Sequence, residues 1–354
     1  MMRPVNRGAY TLRVVTLITC NIIAAVGLAN DENQPEPIAV VATLPILGEL
    51  AREVGGELVN VSVLAHPDQD PHFVQPRPTL MKKTRYADVF IELGLGLEIW
   101  AQKVVDGAGN PDIQTGQPGR VVASRGIPTV GRPAVLSRAG GDVHPEGNPH
   151  LWLDPLNTQR MAANVAAGLK RVRPEAAADF EAGLARFSED IATHLFGTKL
   201  VEEVGANKLS RLAESESLYA YLDQHGLSDK LGGWLSKARR LRGAKVVTYH
   251  RTWPYFAHRF GLKIVAEIEE KPGISPSAKH RDWVVSTAKS EKIQAVLLAN
   301  FYERRAADYI GEQTGTPVIE LAIEPSAESG GGSYTRFMDY LIDMLLDASK
   351  EAAP

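Results

Sequence analysis

Three short segments each place a histidine where a turn would hold it open: Asp70-Pro71-His72-Phe73, Asn148-Pro149-His150-Leu151-Trp152 and Thr248-Tyr249-His250. An Asp-Pro or Asn-Pro pair precedes the histidine in the first two. The third ends an apolar run, Lys245 to Tyr249, that reads as a buried strand. Neutral imidazoles gathered from distant points of a chain suit a borderline-soft divalent cation, Zn2+ above all. His72 falls between a strand and a helix, and His250 directly follows its strand. Ligands of open α/β sheets sit beyond the carboxyl ends of strands, so both lie where a site is expected. Two prolines and a glycine keep the run from His144 to His150 in a loop. One histidine alone would more often be a surface or satisfied core residue; three in such places point to metal. His144 could collect metal at the mouth of the site or merely face water. His66, His194, His225, His258 and His280 read as ordinary surface or core residues.

A fourth ligand is expected from a carboxylate. Glu324, in Ile323-Glu324-Pro325-Ser326, follows the last strand and is placed to reach the cleft. Its neighbours Glu320 and Glu328 could serve instead, as could Glu267 and Glu269 after the strand Lys263–Ala266, and water could fill the position. With Zn2+, three neutral imidazoles and one carboxylate carry a net charge of +1, which suits capture and later release. Because such ligands bind unprotonated, affinity is expected to weaken below about pH 6, as imidazoles of ordinary pKa near 6.5 take up protons.

The elements that must hold these residues alternate. Ile38–Ala42, Val59–Leu64, Val89–Leu93 and Val121–Ala123 read as strands, with helices over Pro45–Val54 and Thr79–Tyr86. Val246–Tyr249, Lys263–Ala266, Ala295–Leu298 and Val318–Leu321 repeat the pattern. Short β-branched runs between helices imply α/β lobes, each with a parallel sheet flanked by helices. Between the halves, Asp154-Pro155 opens Ala-rich helical sequence to about Phe196, interrupted at Pro174, so two helices or one kinked spanning helix are expected. The organisation is then a targeting segment over 1–29, a flexible leader 30–37, an N-terminal lobe 38–155, a linking helix 156–196, a helical insertion 197–242 and a C-terminal lobe 243–354. The basic run Lys237 to Arg242 reads as a solvated helix face.

Composition narrows the class. The 354 residues carry 39 basic and 42 acidic side chains, a net charge of −3, which gives no reason to expect nucleic acid or an anionic membrane surface as partner. Arg3, Arg7 and Arg13 precede an apolar stretch from Val14 to Ala29, and Gly27-Leu28-Ala29 offers the small residues of a signal-peptidase site, so cleavage after Ala29 is expected. The stretch falls short of the roughly 20 apolar residues of a spanning helix. Cys20 is the only cysteine. Leu17-Ile18-Thr19-Cys20 departs from a lipoprotein signal at Thr19, so lipid anchoring is a minor reading. If Cys20 leaves with the signal, neither a disulfide nor a thiolate ligand is available.

These segments resemble the metal-specific substrate-binding proteins of ABC transporters, the zinc and manganese receptors of bacterial periplasms and cell surfaces. The most specific stretch is His144 to Pro155. Asp70-Pro71-His72, the run Gly94 to Trp100, and the run Lys271 to Ser277 support it. The resemblance implies two lobes joined by a rigid helix with one metal between them: His72 and His150 from the first lobe, His250 from the second, and Glu324 as the nearest match to the family's last-strand carboxylate. It further implies an exported monomer that delivers its ion to an ABC permease and catalyses nothing. Three departures stand out: the turn around Glu324 is not Asp-centred, Ala299-Asn300 stands where Glu-Pro is frequent, and Gln75 stands where Glu is common. The long His-rich loop of many zinc receptors is missing, with His144 and Asp142 in its place. A histidine in the third position points to Zn2+ rather than Mn2+, which suits hard oxygen. Two other roles fit the same residues: a surface adhesin or metal chaperone on the same fold, and a zinc hydrolase, against which stands the lack of a His-Glu-x-x-His helix.

Overall fold

The computed structural model describes residues 1–2, 36–133, 144–271 and 273–351. The expected signal segment, Cys20, most of the leader, Asp142 and Pro272 lie outside the described residues. The chain divides into Met1–Glu36 and Pro37–Pro354, and all the elements below belong to the second.

The first lobe is built on strands β1 (Ile38–Ala42), β2 (Val59–Val63), β3 (Val89–Glu92) and β4 (Arg120–Val122), all parallel, in the order β2-β1-β3-β4. Helices α1 (Pro45–Gly55), α2 (Pro78–Thr84) and α3 (Ala101–Ala108) form the crossovers. The second lobe repeats the plan with β5 (Lys245–Thr248), β6 (Lys263–Glu267), β7 (Ala295–Ala299) and β8 (Val318–Leu321), again parallel, in the order β6-β5-β7-β8. Its helices are α10 (Pro254–Phe260), α11 (Ala278–Glu291), α12 (Arg305–Thr314) and α13 (Tyr334–Glu351). Strand order reverses beside β1 in one sheet and β5 in the other, which opens a crevice at the carboxyl ends of those strands. Proline in the first turn starts α1, α2 and α10, where its missing N–H leaves no partner wanting.

The stretch between the lobes is broken rather than merely kinked. Asp154 caps α4 (Pro155–Val172), its carboxylate accepting from the Leu156 N–H at 3.0 Å. Pro174 cannot continue the helix, and a 3-10 turn over Pro174–Ala176 reverses the chain into α5 (Ala177–Phe196). The two helices lie antiparallel, Gln159 donating to the Ser188 carbonyl and Lys170 pairing with Glu181. At 20 residues α5 is about 30 Å long. It packs on α1, where Gly183 sits so close to Val54 that a Cβ would fall 2.2 Å from the carbonyl oxygen, and its far end meets α9 (Gly233–Lys237).

Residues 197–242 form α6 (Thr198–Val204), α7 (Ala206–Glu214), α8 (Leu218–His225) and α9, then a 3-10 turn over Ala238–Leu241. Leu200, Leu209, Leu222 and Trp234 belong to the same apolar core as β1 and α4, so this stretch is part of the body of the protein. That core continues into the second lobe through Phe256, Phe260 and Phe337. Wide separation of the lobes would expose it at about 25 cal/mol per Å2. Among the hydrogen bonds that tie the lobes together, Trp152 Nε1 donates to the Ile323 carbonyl at 2.7 Å, and the Tyr334 hydroxyl donates to the Trp152 carbonyl at 2.9 Å. Arg259 of α10 clasps the Asp154 carboxylate with two bonds of 2.9 Å.

Candidate metal centre

His72, His150 and His250 meet in the crevice. One ring nitrogen of each lies within 4.8 Å of the other two, and these are the one such group of His, Cys, Asp or Glu among the described residues. Their rings form a nearly equilateral triangle, with centroids 5.7, 5.4 and 5.6 Å apart. All three are buried, at 8, 1 and 4% exposure.

Each ring is fixed by an oxygen on its Nδ1. Asp70 caps the 3-10 turn Pro71–Phe73, and one carboxylate oxygen accepts from both the His72 N–H at 3.0 Å and its Nδ1 at 2.7 Å. Asn148 repeats this two residues before His150: its Oδ1 accepts from the backbone N–H at 2.9 Å and from Nδ1 at 3.0 Å. The Asn148 amide also donates to the Arg251 carbonyl at 2.5 Å, joining the first-lobe turn to the chain beside His250. His250 has no such local partner. Glu269, 19 residues further on, takes its Nδ1 at 2.7 Å and also accepts from the Gly273 N–H. A neutral imidazole with its N–H at Nδ1 keeps a lone pair at Nε2, the arrangement in which carboxylate- or amide-anchored histidines ligate metals. The donor set therefore fits a nitrogen-seeking divalent ion.

Electrostatics favours neutral rings. Burial pushes His150 well below the ordinary imidazole range, and His250, His72 and His144 push it the same way. Burial and then His72 and His250 carry His144 down to about 4. Proton competition at these two rings thus sets in below the pH of about 6 expected for unperturbed imidazole. Burial works against the charged form of Asp70, but its hydrogen bonds from His72 outweigh that and hold its carboxyl below the usual range.

The carboxylates are placed differently from the expected ligand. Glu324 lies outside the three-histidine group: it is 1% exposed, and its Oε2 accepts from the Ile46 N–H at 2.9 Å, at the start of α1. Its Oε1 is buried without a hydrogen bond. Burial, with Glu98 nearby, raises its pKa to about 8. Glu269 anchors His250, Glu267 pairs with Arg251, Glu320 pairs with Arg304, and Glu328 is exposed. His144 is half-buried. Its Nε2 stands 3.2 Å from the Nε2 of His72. His66 and His258 are exposed on the surface, His194 and His225 bond carbonyls of their own helices, and His280 bonds the Glu267 carbonyl.

Sequence reasoning missed the anchors. For Asp70 and Asn148 a signal existed, since an Asx two residues before a histidine is an Asx turn aimed at that residue. Glu98 was missed as well: buried, it receives the Thr43 hydroxyl and the Leu93 and Gly94 N–H groups, binding β1 and β3 ends together. Burial raises its pKa to about 7.

The chain is 22% identical over 347 residues to the manganese ABC transporter substrate-binding lipoprotein PsaA of Streptococcus anginosus, covering 95% of this chain and 97% of that protein. It is 21% identical to the zinc-binding lipoprotein AdcA of Streptococcus pneumoniae (strain ATCC BAA-255 / R6), over 97% of this chain and 62% of AdcA. A crystal structure of ZnuA superposes with a TM-score of 0.63 at 20% identity, over 89% of this chain and 100% of that one. A mutant of the laminin-binding adhesin Lmb from Streptococcus agalactiae gives 0.63 at 20% identity, over 87% and 99%. The family model ZnuA, zinc-uptake complex component A, periplasmic, matches residues 40–225 and 227–348, and the chain belongs to that family.

Proposed function

We propose that this protein is an exported receptor that captures Zn2+ in the crevice between its lobes through His72, His150 and His250 and delivers it to an ABC permease without catalysing a reaction. The observation that carries the reading is the buried triangle of imidazoles, each anchored at Nδ1 and left with a lone pair at Nε2. Nitrogen donors favour Zn2+ over Mn2+ in the general affinity order, and Mn2+ gains only where hard oxygen ligands replace them. A first lobe with two donors and a second with one lets the ion bind one face first and be enclosed by the other.

Metal-competition calorimetry on the metal-stripped mature protein, Zn2+ against Mn2+, tests this. One tight zinc equivalent that collapses in His250→Ala is expected. Manganese preference, or zinc binding indifferent to His250, would refute it. Export is part of the same proposal. Among the described residues no helix is long and apolar enough to cross a membrane. Because PsaA and AdcA are named lipoproteins, Cys20 stands beside Ala29 as a processing site. Intact mass of the secreted protein separates a chain beginning at Asn30 from one lipidated at Cys20.

A further inference from the structure

We propose that Tyr255 and Arg259 of α10 are positioning residues of the zinc site: from the second lobe they grip the first-lobe segment that carries His150, and so set its bearing on His250. This rests on the zinc-receptor reading above and adds what fixes two of its ligands to one another.

His150 and His250 come from different lobes, yet the segment holding one is bound to the element that follows the other. α10 begins four residues after His250, and Tyr255 and Arg259 stand four apart on it, so both project from one face. The Tyr255 hydroxyl donates to the Asn148 carbonyl at 2.7 Å and accepts from the Val130 N–H at 3.2 Å. One turn further along, Nε and Nη2 of Arg259 each donate to the Asp154 carboxylate at 2.9 Å. Asn148 lies two residues before His150 and Asp154 four residues after it. Between them, α10 packs on the 3-10 turn Leu151–Leu153. The helix therefore grips the ligand's segment on both sides.

The grip reaches the ring itself. The residue whose carbonyl Tyr255 takes is the one whose Oδ1 anchors the His150 imidazole and whose amide bonds the Arg251 carbonyl beside His250. That carbonyl belongs to the peptide ahead of Pro149, so the Tyr255 bond orients the peptide leading into His150. Tyr255, Asn148 and Asp154 are all buried, where a lost hydrogen bond leaves a polar group wanting. Zn–N bonds of about 2.0–2.1 Å leave rings from two lobes little latitude, and outer partners that orient a ligand typically govern about 10–100-fold in metal affinity. His72 is braced differently: its turn is held within the first lobe, where Trp100 Nε1 donates to the Pro71 carbonyl at 2.8 Å. Loosening α10 should therefore disturb His150 against His250 and spare His72.

The test is a double-mutant cycle on the metal-stripped mature protein, with Tyr255→Phe made alone, in His250→Ala and in His72→Ala, each checked for native circular dichroism. Zinc affinity is read by competition with chelators of graded strength, and site geometry by the visible bands of Co2+ loaded in place of zinc. Tyr255→Phe alone is expected to weaken zinc about 10–100-fold and shift the Co2+ bands, with one equivalent still bound. The same factor should recur in His72→Ala and fall to within about twofold of no change in His250→Ala, where no second-lobe ring is left to align. A factor as large in His250→Ala as in the wild type would make Tyr255 a support of the first-lobe turn alone and overturn the proposal. Unchanged affinity and Co2+ bands in Tyr255→Phe would overturn it too. Either result leaves the three-histidine receptor standing, whereas a wild-type protein that binds no zinc would overturn both. Should Tyr255→Phe lose native circular dichroism, Arg259→Lys, which keeps the charge but not the two-pronged clasp, takes its place in the cycle with the same pattern expected.

Discussion

The two lobes hold their histidines by different means. In the first lobe the anchor lies two residues before the ring, Asp70 for His72 and Asn148 for His150, and one turn fixes both backbone and imidazole. In the second lobe His250 comes straight off β5, and its anchor Glu269 arrives from beyond β6, held by pairing of those strands. A local anchor survives any movement of the lobe that carries it. A long-range anchor depends on the sheet being in register. The first lobe thus carries each ring and its anchor within one turn, whereas the second assembles its pair across two strands.

Breaking the comparison at the ligands should give the largest effect. His72→Ala and His150→Ala should each weaken zinc by more than the 10–100-fold typical of losing an outer partner, and His250→Ala should leave weak residual binding on the first lobe. Chelator competition checks the ranking; a His250→Ala defect larger than both others would reverse the roles assigned to the lobes.

The anchors come next. Asp70→Asn and Glu269→Gln should each cost about 10–100-fold in zinc affinity with stoichiometry kept at one. Glu269→Gln should add a sensitivity that Asp70→Asn lacks, because Glu269 also holds the Gly273 N–H: faster amide exchange around residue 273. Equal exchange in the two variants would show that the long-range anchor does not organise its loop.

A smaller effect lies where the second lobe touches α1. Glu324 has its pKa raised from 4.5 to about 8, so the folded state holds a proton that the unfolded state gives up. Its contribution is fully favourable below about pH 4.5 and is lost as pH rises through about 8. Glu324→Gln, unable to ionise, should therefore raise Tm relative to wild type at pH 8.5 and change it little at pH 4.5 in metal-free protein. A Tm gain that is the same at both values would contradict the buried neutral carboxyl. The smallest change expected is Trp152→Phe, which removes the bond to the Ile323 carbonyl. It should cost about 1 kcal/mol, a few degrees in Tm, with zinc stoichiometry unchanged.

Much of this was legible in the sequence, and what was not has a physical reason. Every strand of both sheets was placed to within a residue or so, because buried parallel strands write themselves as short β-branched runs. The break at Pro174 was visible, but its outcome as an antiparallel pair was not, since proline fixes where a helix stops and packing fixes where the chain then goes. Residues 197–242 read as an insertion because they lack strands, yet their leucines sit in the common core. The three histidines stood out by their turns. Glu324 did not reveal its direction, since sequence places a residue after a strand without saying which way it faces; the Ile46 N–H decided that. Glu269 as the partner of His250 depended on strand pairing between β5 and β6, which no local pattern encodes.

The most direct measurement is anomalous diffraction at the zinc edge from crystals of the zinc-loaded mature protein. The account predicts a single peak about 2.0–2.1 Å from a ring nitrogen of each of His72, His150 and His250. A peak elsewhere, or one held by carboxylate oxygens with any of those three rings turned away, would contradict it.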